Sequence, residues 1–125
     1  MCGIVSYLSF KPSNTPINPL LKKMAKDIHH RGPDDEGYFV KEWVGLGFKR
    51  LSIIDTSSNG HQPMFDITNK FVITLNGEIY NFKKLREELL ALGFSFKSQT
   101  DTEVVLNGYI AWGTSVFEKL QGMFA

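Results

Sequence analysis

The residue with the most chemistry to offer is Cys2, the only cysteine among 125 residues. It stands directly behind Met1, and small second residues normally allow the initiator methionine to be removed. With Met1 gone, one residue carries a thiol and a free α-amine. That places a nucleophile and a general base together, the cysteine counterpart of the N-terminal threonine arrangement. An ordinary α-amine titrates at about 7.7–8.0 and an ordinary thiol at about 8.5, so near neutral pH part of the amine is free to accept a thiol proton. A plainer reading stands beside this one. Cys2 is also a small apolar residue opening a strand, and position alone says little about a thiol's reactivity.

Other stretches carry less. Gly45-Leu46-Gly47 starts like a dinucleotide-binding turn, but Arg50 occupies the third glycine position and the fingerprint fails. There is no Walker-type phosphate loop. His29 and His30 are adjacent rather than spaced along one helix face, and His61 lies in a distant loop, so no metal is expected. Asp34-Asp35 follows Gly32-Pro33 and reads as a solvated turn. Asn76-Gly77 is a favoured hairpin dipeptide, yet Glu78-Ile79-Tyr80-Asn81 leads toward a helix rather than a second strand. Thr100-Asp101-Thr102-Glu103 has the spacing of a capping box at a helix start.

The totals narrow the class. One domain with a sizeable core is expected from 125 residues. An apolar content of 42%, a charged content of 22% and a net charge of +1 are ordinary for a globular protein and give no electrostatic case for nucleic acid or an anionic membrane. A single cysteine rules out an internal disulfide and a multi-thiolate zinc site, and fits a reducing, cytoplasmic setting. The longest clean apolar run is about five residues, against the roughly 20 that span a bilayer.

The elements that must position these residues alternate between strand and helix. Cys2–Phe10 reads as a strand with Cys2, Ile4, Ser6 and Leu8 on one face. After a loop with Pro12, Asn14 and Pro16, a helix is expected with Asn18 as N-cap, Pro19 first and Gly32-Pro33 as its end. Strands follow at Tyr38–Val40 and Val44–Leu51, and Ser52 to Asp55 continues extended. Thr56 to Pro63 is a loop. Met64-Phe65 and Phe71–Leu75 form a strand pair, the second nearly continuous in apolar residues and so expected to be buried on both faces. Asn76-Gly77-Glu78 breaks that strand. A helix over Phe82–Leu92 is expected, capped by Asn81, with Leu85, Leu89 and Leu92 inward and Gly93 as its stop. A short strand Phe94-Ser95-Phe96, a helix from about Thr102 to Trp112, a last short helix capped by Thr114, and a strand beginning at Gly122 complete the chain.

Seven stretches occur together in one order: Cys2-Gly3-Ile4-Val5, His30-Arg31-Gly32-Pro33-Asp34-Asp35, Arg50-Leu51-Ser52-Ile53-Ile54-Asp55, Gln62-Pro63-Met64, Asn76-Gly77-Glu78-Ile79-Tyr80-Asn81, Thr100-Asp101-Thr102-Glu103 and Gly122-Met123-Phe124-Ala125. In that order they resemble the N-terminal glutamine amidotransferase domain of glutamine-hydrolysing asparagine synthases, a class II amidotransferase. The resemblance runs from residue 2 to residue 125. Arg-Gly-Pro-Asp-Asp separates it from purine and hexosamine amidotransferases, which usually carry Asp-Ser-Ala-Gly after a similar Arg-Gly. Cys2 separates it from β-lactam synthetases, which lack the cysteine nucleophile.

The resemblance implies an α+β fold of the N-terminal-nucleophile hydrolase type, a four-layer α/β/β/α sandwich. It also implies roles. Cys2 would attack the side-chain amide of glutamine and form a γ-glutamyl thioester. Asn76 would donate to the oxyanion through its side-chain amide, and Gly77 through its backbone N–H. Arg50 would hold the substrate α-carboxylate and Asp101 the α-ammonium, while Leu51, Ile53 and Glu78 line the pocket. Each has a plainer alternative: a strand-end charge for Arg50, favourable charge at a helix N-terminus for Asp101, core packing for Ile53. At Phe48 the family often has histidine, which puts any role for that position in doubt.

The resemblance further implies a sandwich continuing past Ala125 and then a synthetase domain, where ATP and Mg²⁺ would serve asparagine formation; no Ser-Gly-Gly-x-Asp-Ser loop is present here. No cofactor is expected within the 125 residues. Expected partners are glutamine, the chain's own synthetase domain and, as an option, a second copy in a homodimer; nucleic acid and membrane are not expected. Residues 2–125 alone are expected to show little activity, because half a sandwich is a poor folding unit. Two other classes stay open: an amidotransferase of the same family with another acceptor, such as a surface sugar, and a non-catalytic domain.

Overall fold

The computed structural model describes residues 2–11, 14–53 and 57–125. The expectations for Met1, for Pro12 in the first loop, and for Ile54, Asp55 and Thr56 lie outside the described residues. The chain is α+β. Its first half is a three-stranded antiparallel sheet, β1 (Gly3–Leu8), β2 (Asp35–Lys41) and β3 (Val44–Arg50), in the order β1-β3-β2. The helix α1 (Ile17–Asp27) packs on it. Strand alternation sends Gly3, Val5 and Tyr7 toward α1, where Val5 meets Leu21 and Ala25 in the core. The opposite face of β1, with Cys2 at its start, ends in Leu8, which is 59% exposed.

The helix starts one residue before the expected N-cap. Asn18 is already helical, Pro16 occupies the cap position without a side-chain bond, and Pro19 sits in the first turn, where a missing N–H costs nothing. It ends at Asp27, ahead of Gly32-Pro33; a 3₁₀ turn, His29–Arg31, fills the interval. The β2–β3 hairpin turns at Glu42, with φ 50°, within the Lys41-Glu42-Trp43 connection expected between the two strands.

The second half holds two strand pairs and two long helices. The pairs are β4 (Met64–Phe65) with β5 (Val72–Ile73), and β6 (Gly77–Ile79) with β7 (Gly122–Phe124). The helices are α2 (Phe82–Ala91) and α3 (Asp101–Trp112), followed by a 3₁₀ turn and the short α4 (Val116–Lys119). Leu75, Ile79, Leu85, Leu89, Val104 and Val105 form the core between them.

Several expectations need correction here. The strand does end before Asn76, with β5 stopping at Ile73, but Gly77 and Glu78 do not belong to the break: they open β6, whose partner β7 lies far away in sequence. The Phe71–Leu75 stretch is not buried on both faces, since β5 has β4 as its strand partner and Phe71 is 40% exposed. Phe94-Ser95-Phe96 forms no strand. Leu92 is exposed, lying past the end of α2. Asn81 stands at the N-cap of α2 but makes no cap bond; its side chain instead joins the Lys119 carbonyl at 2.9 Å and the Gln121 N–H at 3.0 Å. The last short helix starts after Ser115 rather than Thr114.

Candidate active site

One cleft gathers Cys2, Arg50, Leu51, Ile53, Glu78 and Asp101, with Phe48, Gln62, Thr100 and Thr102 completing its walls. A roomier cavity of about 400 Å³ lies elsewhere, around Asp66, Phe71 and Asn107. The chain's cysteine is not among its lining residues, so chemistry and volume point to different places, and the chemistry decides.

The first wall is the open end of the three-stranded sheet. Cys2 immediately precedes β1, and Gly3 pairs with Lys49, which brings Cys2 to the end of β3. Its Sγ lies 3.3 Å from the Leu51 nitrogen and 3.6 Å from the Leu51 carbonyl oxygen, so the sulfur is seated on the backbone of one residue. Arg50 closes β3, 7% exposed, and its Nη1 donates to the Ser57 carbonyl at 2.8 Å. Alternation turns its neighbour Lys49 to the other face, where its buried ammonium pairs with Glu36 and holds that carboxyl below its usual range.

The backbone after Arg50 is pinned by the Gly32-Pro33-Asp34 stretch. The Asp34 N–H donates to the Arg50 carbonyl at 3.0 Å, and Asp34 Oδ2 accepts the Ser52 N–H at 2.8 Å. Gly32 is buried against the same segment: a Cβ there would stand 2.4 Å from the Lys49 carbonyl oxygen and 2.5 Å from the Arg50 carbonyl carbon. The acidic pair is therefore more than a solvated turn. Asp34 is exposed but locks the strand end, and Asp35 Oδ2 lies 2.7 Å from His61 Nδ1. Ile53 is 58% exposed, which overturns core packing as its role.

The second wall is β6 with the first turn of α3. Thr100 caps α3, its hydroxyl accepting the Glu103 N–H at 3.3 Å. The expected capping box is half present. The Glu103 carboxylate turns instead to the N–H groups of Lys97 (2.8 Å) and Ser98 (2.7 Å), which lie nearer. Asp101, buried at the first position of α3, reaches back so that Oδ2 accepts the Ile79 N–H at 3.0 Å. Burial pushes its carboxyl above the usual range, against the lowering effect of backbone N–H bonds from Ile79, Thr102 and Asp101 itself.

Asn76 and Gly77 are not walls of the cleft, but the ladder says where their groups point. Asn76 and Ala125 exchange both backbone hydrogen bonds, each 2.9 Å, and Tyr80 donates to Gln121 at 2.7 Å. In an antiparallel pair such residues alternate with non-bonded ones, so Gly77, opposite Phe124, sends its N–H away from β7. That free edge is the one on which the Ile79 N–H meets Asp101 and the Leu75 N–H meets Gln62. The Asn76 side chain shares a face of the strand with that of Glu78, and its Oδ1 is buried with no hydrogen-bond partner among the described residues. Close packing on β7 requires glycine at position 77: a Cβ there would stand 2.5 Å from the Met123 carbonyl oxygen.

A thiol, a guanidinium, a buried carboxylate and an inward N–H on two facing walls form a site for a short zwitterion with a reactive carbonyl. Residues 1–125 match the glutamine amidotransferase domain family over their whole length. The chain belongs to that family. It is 46% identical over 127 residues to asparagine synthetase [glutamine-hydrolyzing] 1 of Bacillus subtilis (strain 168), an alignment taking in all of this chain and 20% of that protein. It is 38% identical to asparagine synthetase [glutamine-hydrolyzing] 3 of the same organism, over 128 residues, with the same shares. The probable asparagine synthetase [glutamine-hydrolyzing] of Schizosaccharomyces pombe is 37% identical over 125 residues, covering all of this chain and 22% of that one. The chain thus spans about a fifth of the length of these relatives.

Within this amidotransferase domain, the motifs found in the sequence acquire physical reasons. Sequence reasoning assigns no role to Gln62, Thr102 or Phe48, which all border the cleft. Phe48, where the family often has histidine, is 1% exposed and part of the wall's core. Gln62 was visible only as one residue of a shared stretch, because its partners Leu75 and Thr102 lie 13 and 40 residues away.

Proposed function

We propose that this domain is the glutaminase of a glutamine-hydrolysing asparagine synthase. The observation carrying the proposal is the convergence of Cys2, Arg50 and Asp101 on one cleft, with the Gly77 N–H on the edge of β6 that also meets Asp101. Arg50 binds the substrate α-carboxylate, which a planar guanidinium grips through two hydrogen bonds. Asp101 binds the α-ammonium, and that pairing offsets the cost of its buried charge. Leu51, Ile53 and Glu78 line the space between.

Once Met1 is removed, the Cys2 α-amine takes the thiol proton and Sγ attacks the amide carbon of glutamine. The oxyanion is met by the Gly77 N–H and the Asn76 side-chain amide, each donor worth about 3–4 kcal/mol in such a hole. As the C–N bond breaks, the amine passes its proton to the leaving nitrogen and ammonia departs, leaving a thioester. Water then attacks the thioester carbon and gives a proton to the amine. Cys2 Sγ leaves, recovers that proton, and glutamate is released.

The four-layer α/β/β/α sandwich, a cytoplasmic location, and a separate domain that uses ATP and Mg²⁺ to pass the ammonia to aspartate belong to the same proposal. The lengths and names of the relatives support the separate domain. Three measurements on the intact protein test the proposal. Ammonia release from glutamine is expected to disappear in Cys2→Ala, and ammonia release surviving that change sinks the mechanism. Mass measurement of the N-terminus is expected to find Met1 absent; Met1 retained on active protein removes the α-amine as base. Asparagine formation from aspartate, glutamine and Mg-ATP distinguishes this acceptor from a sugar.

A further inference from the structure

We propose that Gln62 is a positioning residue of the glutaminase site, holding the edge of the Leu75–Ile79 backbone so that the Gly77 N–H faces the oxyanion. This deepens the function proposed above and rests on it.

Gln62 is 5% exposed, and its amide is fully committed. Its Oε1 accepts the Leu75 N–H at 2.7 Å. Its Nε2 donates to Thr102 Oγ1 at 3.1 Å and more weakly to the Leu75 carbonyl at 3.4 Å. The backbone of Gln62 meanwhile packs on Gly37 of β2. One residue therefore fastens three pieces: the sheet that carries the nucleophile wall, the strand edge, and the turn of α3 that carries Asp101.

The parity of that edge explains the purpose. Leu75, Gly77 and Ile79 alternate along it, so their N–H groups project the same way. The first is held by Gln62 and the third by Asp101. The middle one is left for a ligand, and its aim is fixed by the bonds on either side. Because both polar ends of the Gln62 amide are spent on Leu75 and Thr102, it does not touch the reacting atoms.

An amide is the group that can accept from the Leu75 N–H while donating to Thr102. Leucine at position 62 would fill similar space and do neither. Glutamate would keep the acceptor for Leu75, and the Thr102 hydroxyl could rotate to donate to it.

The experiment uses the intact protein, with glutamine as substrate and, as a probe of the nucleophile, iodoacetamide alkylation of Cys2 followed in the N-terminal peptide by mass spectrometry. Gln62→Leu is expected to lower kcat for ammonia release by about 10–100-fold, the range for a misaimed rather than deleted donor. Cys2 alkylation should stay within about twofold of wild type, since its sulfur rests on Leu51 across the cleft. Gln62→Glu is expected to recover most of the lost kcat. Unchanged kcat in Gln62→Leu overturns the proposal, and so does a parallel fall in kcat and alkylation, which marks general support of the fold. Should Gln62→Leu not fold, Thr102→Val removes one link alone; a kcat fall of about threefold to tenfold with normal alkylation is expected, and wild-type kcat overturns the proposal. Wild-type protein releasing no ammonia overturns the parent function and this inference together, whereas active wild type with an equally active Gln62→Leu overturns this inference alone.

Discussion

The two walls of the cleft are built by different means. The nucleophile wall hangs from a sheet with continuous register, Gly3–Leu8 against Val44–Lys49 and Asp35–Lys41 against Val44–Arg50. It is finished by Gly32 lying against the Lys49–Arg50 peptide, by the Asp34 N–H on the Arg50 carbonyl, and by the Asp34 carboxylate on the Ser52 N–H. The oxyanion wall has strands of two or three residues, and polar side chains, Gln62 and Asp101, stand in for a neighbouring strand. A sheet that pairs fully places a nucleophile by register alone. A strand that lends its N–H groups to a substrate must be held by something that leaves one of them open.

Variants can break or sharpen that contrast. The largest effect is expected at the oxyanion wall: Asn76→Ala should lower kcat about 10²–10³-fold with KM little changed. Steady-state ammonia release decides it, and a rise in KM with unchanged kcat would make Asn76 a ground-state contact. On the other wall, Gly32→Ala forces a Cβ to within 2.4 Å of backbone, and denaturant unfolding should show a loss of about 1–3 kcal/mol. Asp34→Ala frees the Ser52 N–H at an exposed position; a loss of about 1 kcal/mol is expected, with KM for glutamine rising as the Leu51–Ile53 segment loosens.

The buried carboxylate gives a sign to test. Burial raises the Asp101 carboxyl, so the folded chain binds that proton more tightly than the unfolded one. Its contribution therefore becomes less favourable as pH rises above the ordinary carboxylate value, about 3.9. Asp101→Asn should melt higher than wild type at neutral pH, with the gain closing toward about pH 4, while glutamine binding is lost. Equal melting temperatures at every pH would refute this. Away from the cleft the sign reverses. The Thr68 hydroxyl and the N–H groups of Phe71, Thr68 and Lys70 lower the Asp66 carboxyl to about 2. Its stabilisation is complete above about 3.9 and fades as pH falls through about 2, so Asp66→Asn should flatten acid unfolding slightly.

What was legible in the sequence divides along the same line. Helix α3 and its Thr100 cap were readable because a cap bond spans three residues. The strands β1 and β3 were readable from β-rich runs bounded by turns. β6 was not, since Gly77-Glu78-Ile79 is a strand only because Gly122–Phe124 comes back to pair with it. The Glu103 carboxylate was misassigned because the N–H groups of Lys97 and Ser98 compete for it. Cys2 could be named from its chemistry and position, whereas Arg50 and Asp101 could be named through resemblance alone; periodicity gives no sign that residues so far apart share one cleft.

The free edge of β6 has a metric consequence. Alternate N–H groups on a strand repeat at about 6.4–6.8 Å, and that interval separates the Gly77 donor from the Ile79 donor that anchors Asp101. The edge is in effect a gauge block. In the proposed reaction it would set the span between the carbonyl under attack and the carboxylate that holds the ammonium, in steps of two residues. Asparagine, one methylene shorter than glutamine, would engage one end and miss the other.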